Sequence, residues 1–282
     1  MMTSSPEVKN ETEERNHMKN ETHISLGVNI DHIAVLREAR RINDPDPVDA
    51  LGICKRAGAN QITIHLREDR RHINDLDAQK IMFNSALPVN LECSINPDII
   101  DIVCQLRPHR ATLVPEKREE VTTEGGLDVL SHYENIKKAV EQLKAHEIDV
   151  SLFIDPDEKV IEKSSTLDID MIELHTGSYA NIYAMLHTPL STTHHSIVDL
   201  ERPRSELRQM LYRSLEEIKD AAYCAHQKGL LVAAGHGLNY QNVRAMCEIE
   251  VLHELNIGQS IIARSVFTGL EQAIIDMKDL LK

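Results

Sequence analysis

The sequence predicts a (β/α)₈ barrel, the TIM-barrel fold, with additional helices. Short apolar runs recur about every thirty residues, helical patterns lie between them, and nearly every run ends in a histidine, carboxylate or asparagine. Eight strand-like runs that alternate with helices are typical of a closed parallel barrel. The predicted strands cover residues 24–30, 62–66, 89–91, 111–114, 150–154, 171–174, 230–234 and 251–257.

The residues that follow these runs indicate an enzyme. A barrel of this type carries its catalytic groups at the carboxyl ends of its strands. An open doubly wound sheet is the alternative, and it would gather polar residues at one switch point behind a glycine-rich turn. No such turn follows the first run, and the polar strand ends are spread along the chain. They are Asn29, Asp31, His32, His65, Arg67, Glu92, Glu116, Asp155, Glu173, His175 and His236.

Helix starts between the strands are marked by acidic or amide residues next to proline. This pairing combines an N-cap with a proline at the first helical position. The first of these helices is expected to close at Gly58, and the last helix of the chain is predicted over residues 266–281. The predicted starts are Asp46-Pro47, Asn96-Pro97 and Asp155-Pro156-Asp157.

The chain is expected to form one domain. Residues 1–22 are charged and almost free of apolar groups, which predicts a disordered leader. Residues 23–282 are predicted to be a single barrel domain. Two stretches exceed ordinary loops, 117–130 and an insertion at about 178–213, and we expect them to be lids or interface elements.

Composition excludes several classes of protein. A net charge of −14 and the absence of Trp argue against nucleic acid as a partner. No apolar stretch reaches the roughly 18 residues of a membrane span, and no signal peptide is recognisable, so we expect a cytoplasmic protein that does not bind membranes. Five scattered cysteines without a CxxC motif favour reduced packing residues over disulfides or a zinc site.

Basic residues after the second strand suggest a phosphate site. His65 and Arg67 are two residues apart, so an extended chain points both side chains the same way. The run continues through Arg70, Arg71 and His72. Arginine binds phosphate in a bidentate manner, although a solvated helix start paired with neighbouring acidic residues remains open as an alternative.

Two carboxylates and two glycine loops complete the set of candidate site residues. Glu92 and Glu173 lie in apolar strands, where burial and repulsion would raise at least one carboxyl pKa toward the range useful for proton transfer, unless they form a structural ion pair. Gly237 follows the seventh strand and Gly258 the eighth, where barrels frequently bind phosphate through backbone N–H groups. Together, these loops indicate a phosphorylated substrate.

Seven motifs resemble the pyridoxine 5′-phosphate synthase (PdxJ) family. They run in the family's order from about residue 24 to the C-terminus, and the ten-residue block around His65 is highly specific. The motifs are GVNIDHIA (27–34), TIHLREDRRH (63–72), VPEKR (114–118), VTTEGGLD (121–128), IELHTG (172–177), AGHGL (234–238) and ELNIG (254–258).

The resemblance implies a barrel enzyme that forms a homo-oligomer, an octamer in the family, and uses no metal or organic cofactor. The implied reaction condenses 3-amino-2-oxopropyl phosphate with 1-deoxy-D-xylulose 5-phosphate. The products are pyridoxine 5′-phosphate, inorganic phosphate and water. The stretch at 122–126 would then close as a lid that keeps water from the reacting imine.

The family also implies a role for each matching residue. His65 and Glu92 would accept protons, His236 would donate one, and Glu173 would stabilise a transition state. The residues implied to hold the amino-oxopropyl phosphate are Asn29, Arg40, Gly237, Gly258 and Gln259. Those implied to hold the deoxyxylulose phosphate are Asp31, His32, Arg67, His72 and Thr122.

The chain departs from the family pattern at two places. Gln259 stands where the family has histidine, which keeps a hydrogen-bond donor but removes a possible positive charge. The stretch between Glu173 and His236 is long, with the excess around residues 186–206. We expect this excess to extend an oligomer interface or to cover the mouth of the barrel.

Two other functions remain open at the level of sequence. A metal-dependent barrel hydrolase could surround a divalent ion with histidines and carboxylates from the strand ends. Such hydrolases often carry an HxH motif after the first strand, where this chain has Asn29-Ile30-Asp31-His32. A catalytically inactive barrel that serves in assembly or binding is the second alternative, with Gln259 as its first indication.

Overall fold

Eight parallel strands close into a barrel in chain order. The computed structural model describes residues 24–116 and 125–282. Each strand pairs with the next, and the eighth returns to pair with the first, so the predicted fold class is confirmed. The predicted leader at 1–22 lies outside the described residues. The strands are β1 Ser25–Asn29, β2 Gln61–His65, β3 Val89–Cys93, β4 Arg110–Leu113, β5 Asp149–Ile154, β6 Met171–His175, β7 Leu231–Gly235 and β8 Glu254–Ile257.

Helices connect the strands on the outside of the barrel. Additional helices follow β1, β6 and β8 beyond the one helix per strand of the simplest barrel. The described helices are α1 Asp31–Glu38, α2 Asp49–Arg56, α3 Asp75–Asn84, α4 Pro97–Leu106, α5 Val129–Lys144, α6 Glu158–Ser164, α7 Gly177–His187, α8 Arg204–Gln227, α9 Arg244–Cys247, α10 Gln259–Thr268 and α11 Leu270–Leu280. None of them is both long and apolar enough to cross a membrane.

Alternation along each strand separates the apolar outer layer from a polar interior. On β2, Ile62 and Ile64 are fully buried and belong to the hydrophobic core. Gln61 and Thr63 lie on the other face, where both side chains donate hydrogen bonds to Asn256 of β8. His65 is next on that inner face, so the register of the strand delivers its imidazole to the carboxyl end of the barrel.

Two of the predicted helix starts are shifted along the chain. Asn96 caps α4 as predicted, because its side chain accepts a hydrogen bond from the N–H of Asp98 and Pro97 is the first helical residue. Asp157, not Asp155, caps α6. Asp46 accepts from the N–H of Val48 in a turn that precedes α2, and Val48 is the residue at the N-cap, so the predicted cap is wrong by two residues.

The predicted bounds near the C-terminus need correction. The single helix predicted over 266–281 is wrong, because α10 and α11 meet at Gly269, whose φ of 79° ends the first helix. The strand predicted over 251–257 begins only at Glu254, since the preceding residues form a turn in which Leu252 donates to the carbonyl of Ile249.

The insertion is largely helical instead of being the long loop that was expected. Helices α7 and α8 occupy most of it, and the connection at 188–203 contains short 3-10 turns at Pro189–Thr192 and Val198–Leu200. Ile182 and Met185 of α7 pack with Leu207 of α8 in a cluster separate from the barrel core. The two helices thus carry their own small core.

Candidate active site

The carboxyl ends of β1 and β2 are joined through Asp31. The side chain of Asn29 donates to Asp31 Oδ2 at 2.9 Å, and the N–H of His65 donates to Asp31 Oδ1 at 2.9 Å. Burial raises the pKa of Asp31 to about 6, although His65 and the hydrogen bond from Asn29 act in the opposite direction. Three of the predicted residues are therefore in direct contact.

The imidazole of His65 lies between two carboxylates. Its Nε2 is 3.1 Å from Glu116 Oε1, and its Nδ1 is 3.9 Å from Glu92 Oε2. Burial acts to raise the pKa of Glu116, but the hydrogen bonds from His65 and from the N–H of Glu68 outweigh it, so this pKa lies below its ordinary value. An ionised carboxylate only accepts hydrogen bonds, so Nε2 donates to Glu116 and Nδ1 remains as the basic nitrogen.

A cluster of nitrogen groups lies beside His65. Arg67 is 1% exposed, and its Nε donates to Asp69 Oδ1 at 3.3 Å. Burial lowers the pKa of His72 to about 4, helped by the neighbouring His65 and Arg67, and burial also lowers the pKa of His32. The cluster therefore combines one permanent cation with neutral imidazoles.

The other arginines of the basic run are paired with acidic neighbours. Arg70 binds Asp75 through Nε at 2.9 Å, and Arg71 binds Asp69 through Nη2 at 2.6 Å. For these two residues the structure favours the alternative of a helix start with paired charges. Arg67 is also paired with Asp69, but unlike Arg70 and Arg71 it is almost fully buried beside His72, so the phosphate-clamp prediction rests on Arg67 and His72.

Glu173 is held inside the barrel by Asn256. The amide Nδ2 of Asn256 donates to Glu173 Oε2 at 2.9 Å and to Glu254 Oε1 at 3.1 Å. Burial raises the pKa of Glu173 to about 8, with a further contribution from the nearby Glu254. The expectation of a raised carboxyl pKa is met at Glu173, where the repelling carboxylate is Glu254 and not Glu92.

Two histidines from β6 and the β7 loop form a second group at the same end. The rings of His175 and His236 are 4.9 Å apart between centroids, in an edge-to-face arrangement. His175 Nδ1 is 3.0 Å from Asp155 Oδ1, and this hydrogen bond lowers the pKa of Asp155, as does the N–H of Gly126. His236 is exposed and has a positive φ of 81°.

The two glycine loops lie together near Asn29. A Cβ placed on Gly258 would be 2.8 Å from the Cβ of Asn29, so only glycine permits this approach. Ser260 Oγ donates to the carbonyl of Leu238, which joins the loop after β8 to the loop after β7. Gln259 begins α10, so its side chain and the first N–H groups of that helix are on the rim.

One described site residue of the prediction is not brought to this group. Arg40 is exposed just beyond α1, and in the described ranges it has no hydrogen bond or ion pair with the other predicted residues. Thr122 lies outside the described residues, together with most of the expected lid. Sequence reasoning gave no role to Glu116, Asp155 or His175, although all three were visible as polar strand ends.

No group of three or more His, Cys, Asp or Glu side chains arranged to hold a metal ion occurs in the part of the chain that the structure describes. Cys54, Cys93 and Cys104 are buried free thiols, and burial raises the pKa of Cys54 to about 12. The chemistry that these residues offer is therefore acid–base chemistry by histidines and carboxylates next to sites that can hold anions.

Solved structures with a similar fold are TIM barrels that bear other names. Phosphoribosyl anthranilate isomerase from Thermococcus kodakaraensis aligns with a TM-score of 0.56 at 12% identity, covering 92% of this chain and 99% of that one. The tryptophan synthase α-subunit from Pyrococcus furiosus aligns with a TM-score of 0.52 at 10% identity, covering 92% of this chain and 96% of that chain. At these identities the likeness concerns the fold alone.

Curated relatives are far closer in sequence. Proteins named pyridoxine 5′-phosphate synthase are 65% identical over 257 residues in Aliarcobacter butzleri and 66% identical over 258 residues in Nitratiruptor sp.. These alignments cover 91% and 92% of this chain and 98% and 97% of the relatives. Residues 26–282 also match the family described as "Pyridoxal phosphate biosynthesis protein PdxJ". The chain therefore belongs to the PdxJ family.

Proposed function

We propose that this chain is a pyridoxine 5′-phosphate synthase, which condenses 3-amino-2-oxopropyl phosphate with 1-deoxy-D-xylulose 5-phosphate and releases inorganic phosphate and water. The observation that carries the proposal is the position of the His65 imidazole between Glu92 and Glu116. Glu173 and His236 lie toward the same end of the barrel, on β6 and in the loop after β7. Imine formation, phosphate elimination and ring closure each move protons, and positioned acid–base groups contribute about 10²- to 10⁴-fold each.

His65 and Glu92 are the proposed proton acceptors. The 3.9 Å between His65 Nδ1 and Glu92 Oε2 lets a substrate group approach both atoms. When Nδ1 takes a proton, Glu116 on the opposite side of the ring stabilises the imidazolium and fixes its orientation. This arrangement supports a base that acts without first moving into place.

Glu173 and His236 are the proposed groups for charge stabilisation and proton donation. With a pKa of about 8, Glu173 carries its proton at neutral pH. A neutral buried carboxyl can donate a hydrogen bond to oxygen that becomes negative in the transition state. His236 is exposed at the rim, where a proton on its ring could reach a leaving group.

The two phosphorylated substrates need separate anion sites in a chain of net charge −14. We assign the deoxyxylulose phosphate to Arg67 and His72, with Asp31, His32 and Thr122 on its remaining groups. The buried Arg67 supplies a full charge. We assign the amino-oxopropyl phosphate to the glycine loops and the N-terminus of α10, where N–H groups attract anions. Its residues are Asn29, Arg40, Gly237, Gly258 and Gln259.

A homo-oligomer, an octamer by family resemblance, is part of the proposal. Val266 and Phe267 at the end of α10 are 69% and 89% exposed, and α10 contacts α1, which exposes Val35 and Leu36. Contiguous exposed apolar groups are typical of protein interfaces. Arg40 lies four residues after Leu36, so a second copy that covers this surface would also enclose Arg40. We place this enzyme in the cytoplasm, without a metal or organic cofactor.

The roles can be tested by measuring release of inorganic phosphate from the two substrates. We expect His65→Ala and Glu92→Gln to lower kcat by about 10²-fold or more, because each removes a proton acceptor. The matched control is Glu134→Gln, an exposed position on α5, which should retain wild-type kcat. Full activity in both site variants would refute the assigned roles.

A further inference from the structure

His175 has a fixed tautomer. It is 6% exposed at the end of β6, and its Nδ1 is 3.0 Å from Asp155 Oδ1. Because the pKa of Asp155 is lowered, this carboxylate is ionised at neutral pH and can only accept. Nδ1 of His175 therefore donates its hydrogen to Asp155, and in this tautomer Nε2 is the acceptor nitrogen of the ring.

That acceptor is buried without a partner. In the part of the chain that the structure describes, His175 Nε2 has no hydrogen bond. Buried polar atoms are nearly always paired in folded proteins, so this nitrogen at a strand end can accept a hydrogen bond that the described residues do not supply. The arrangement of a carboxylate, an imidazole and an open Nε2 is that of an acid–base pair.

The ring beside His175 belongs to His236. Their centroids are 4.9 Å apart with an interplanar angle of 69°, and Phe153 packs against both rings at 5.1 and 6.1 Å. The backbone of His236 is fixed as well, because Thr176 Oγ1 donates to its carbonyl at 2.7 Å. His236 adopts the left-handed region at φ 81°, which non-glycine residues hold only when the surroundings demand it.

We propose that Asp155 and His175 form a relay behind His236, in which His175 Nε2 accepts a hydrogen bond from the protonated His236. The second N–H of the His236 imidazolium then points to the substrate, and the proton that leaves His236 goes to the departing group. His175 and Asp155 are positioning residues that act through His236. This inference rests on the proposed function, in which His236 is the proton donor.

Carboxyl groups from two strand regions lie near the two rings in the described part of the chain. Asp155, directly after β5, bonds to His175, whereas Glu173 of β6 faces the barrel interior through its bond to Asn256. The N–H of Gly126 also donates a hydrogen bond to the Asp155 carboxylate. A Cβ on Gly125 or Gly126 would collide with Asp155 or with the backbone beside it, so this segment is packed directly against the relay.

The kinetic test compares Asp155→Asn and His175→Gln with Asp157→Asn. Asparagine at 155 can donate to Nδ1, which moves the ring hydrogen to Nε2 and removes the acceptor. We expect both relay variants to lower kcat at least about tenfold while the KM of each substrate changes less than about twofold. Asp157→Asn is the matched control, because asparagine caps α6 as well as aspartate does and should leave kcat unchanged.

The same substitutions made in a His236→Ala chain distinguish a relay through His236 from a purely structural role of Asp155 and His175. In a His236→Ala chain, we expect Asp155→Asn and His175→Gln to change kcat by less than about twofold, because residues that act through one group are not additive. An equal fractional loss in both backgrounds would overturn the relay and indicate that Asp155 and His175 only support the fold.

A readout that needs no turnover tests the same contact. Deuterium exchange at the imidazole C2 position, followed by mass spectrometry, measures the pKa of each histidine in the full chain. We expect the pKa of His236 to be lower by at least about half a pH unit in both relay variants than in Asp157→Asn. An unchanged His236 titration would refute the relay. If wild type forms no product but His236 titrates as expected, the proposed function fails and the relay stands.

Discussion

The imidazole of His65 lies between two carboxylates at different distances. Glu116 holds Nε2 at 3.1 Å and is itself fixed by the N–H of Glu68. Glu92 Oε2 lies 3.9 Å from Nδ1 of His65. At this distance a substrate group can still reach Nδ1 and Glu92 together. At the scale of the residue, these distances support the proposal that Glu116 orients the base His65 and that Glu92 acts beside it.

The proposed orienting role of Glu116 predicts the effect of Glu116→Gln. A neutral amide cannot stabilise the imidazolium as a carboxylate does, so we expect kcat to fall about 10- to 100-fold with little change in KM. Steady-state kinetics with both substrates measures the effect, with Glu134→Gln as the control. A rise in KM at unchanged kcat would mean that Glu116 binds substrate and does not orient His65.

The raised pKa of Glu173 predicts how stability depends on pH. The unfolded chain ionises this carboxyl above its ordinary pKa of 4.5, whereas the folded chain keeps the proton up to about pH 8. Unfolding then releases a proton, so this residue's contribution to stability is fully present below pH 4.5 and is lost as the pH rises to 8. We expect Glu173→Gln to remove this decrease of stability with rising pH, because glutamine does not ionise.

Thermal unfolding can check the sign. The Tm of Glu173→Gln minus the Tm of wild type should increase from pH 5 to pH 8, because glutamine does not ionise and can still accept from Asn256. Glu134→Gln should show a Tm difference that is the same at both pH values. A Tm difference that falls with pH in Glu173→Gln would contradict a raised pKa.

The sequence predicted candidate site residues but not their hydrogen-bond partners. Position at or near a strand end was enough to propose Glu92, Glu173 and His236, since strand ends meet at one face of a barrel. The pairing of Asp155 with His175 across β5 and β6 depends on which way each side chain turns after its strand. That direction depends on φ and ψ at the strand end, which the order of residues does not specify.

At the scale of the element, N-cap and proline signals predicted a helix start correctly where both signals act at adjacent residues. Asn96-Pro97 begins α4 as expected because the cap and the fixed φ of proline act at adjacent positions. The break between α10 and α11 was missed because the apolar pattern continues across Gly269 in the correct helical phase. A glycine in a periodic pattern is compatible with both a helix interior and a helix end.

Two glycines in different elements should respond oppositely to alanine. At Gly258, between β8 and α10, a Cβ would be 2.8 Å from the Cβ of Asn29 and 3.0 Å from its carbonyl oxygen. We expect Gly258→Ala to destabilise by about 1–3 kcal/mol, since neither contact is a flexible side-chain end. Gly258→Ala should also raise the KM of the amino-oxopropyl phosphate.

Gly52→Ala is the matched control on α2. Its Cβ would meet only the end of Arg56 at 3.5 Å, and alanine restricts the unfolded chain. We expect this variant to stabilise by about 0.5–1 kcal/mol with unchanged KM. Urea unfolding measures both variants, and equal stability changes would show that the contact with Asn29 is not tight.

At the scale of the whole molecule, the exposed apolar surface on α1 and α10 predicts self-association. Phe267 is 89% exposed next to the exposed Val266, and neighbouring exposed apolar side chains are typical of protein interfaces. We expect wild type to elute with light scattering at eight times the mass of one chain and Phe267→Asp to form smaller species. Leu76→Asp on α3, where leucine is 58% exposed, is the control and should leave the assembly intact.

The barrel itself could be predicted because several levels of information agree. The outward-facing residues of the strands are buried and apolar, and the spacing of these apolar positions leaves room for one helix or more between strands. The insertion was misread as a loop because Ile182 of α7 and Leu207 of α8 pack in a small cluster of their own. The barrel pattern does not include this cluster, although the C-terminal part of α8 joins the main core through Ile218 and Ala222.

The most direct test of the central claim is to identify the product. Purified full-length protein is incubated with 3-amino-2-oxopropyl phosphate and 1-deoxy-D-xylulose 5-phosphate in the presence of EDTA, and the product is followed by absorbance and mass spectrometry. We expect pyridoxine 5′-phosphate in equal amount to inorganic phosphate, and none when either substrate is omitted. The absence of pyridoxine 5′-phosphate from a folded protein, with or without added divalent metal, would contradict the proposed function.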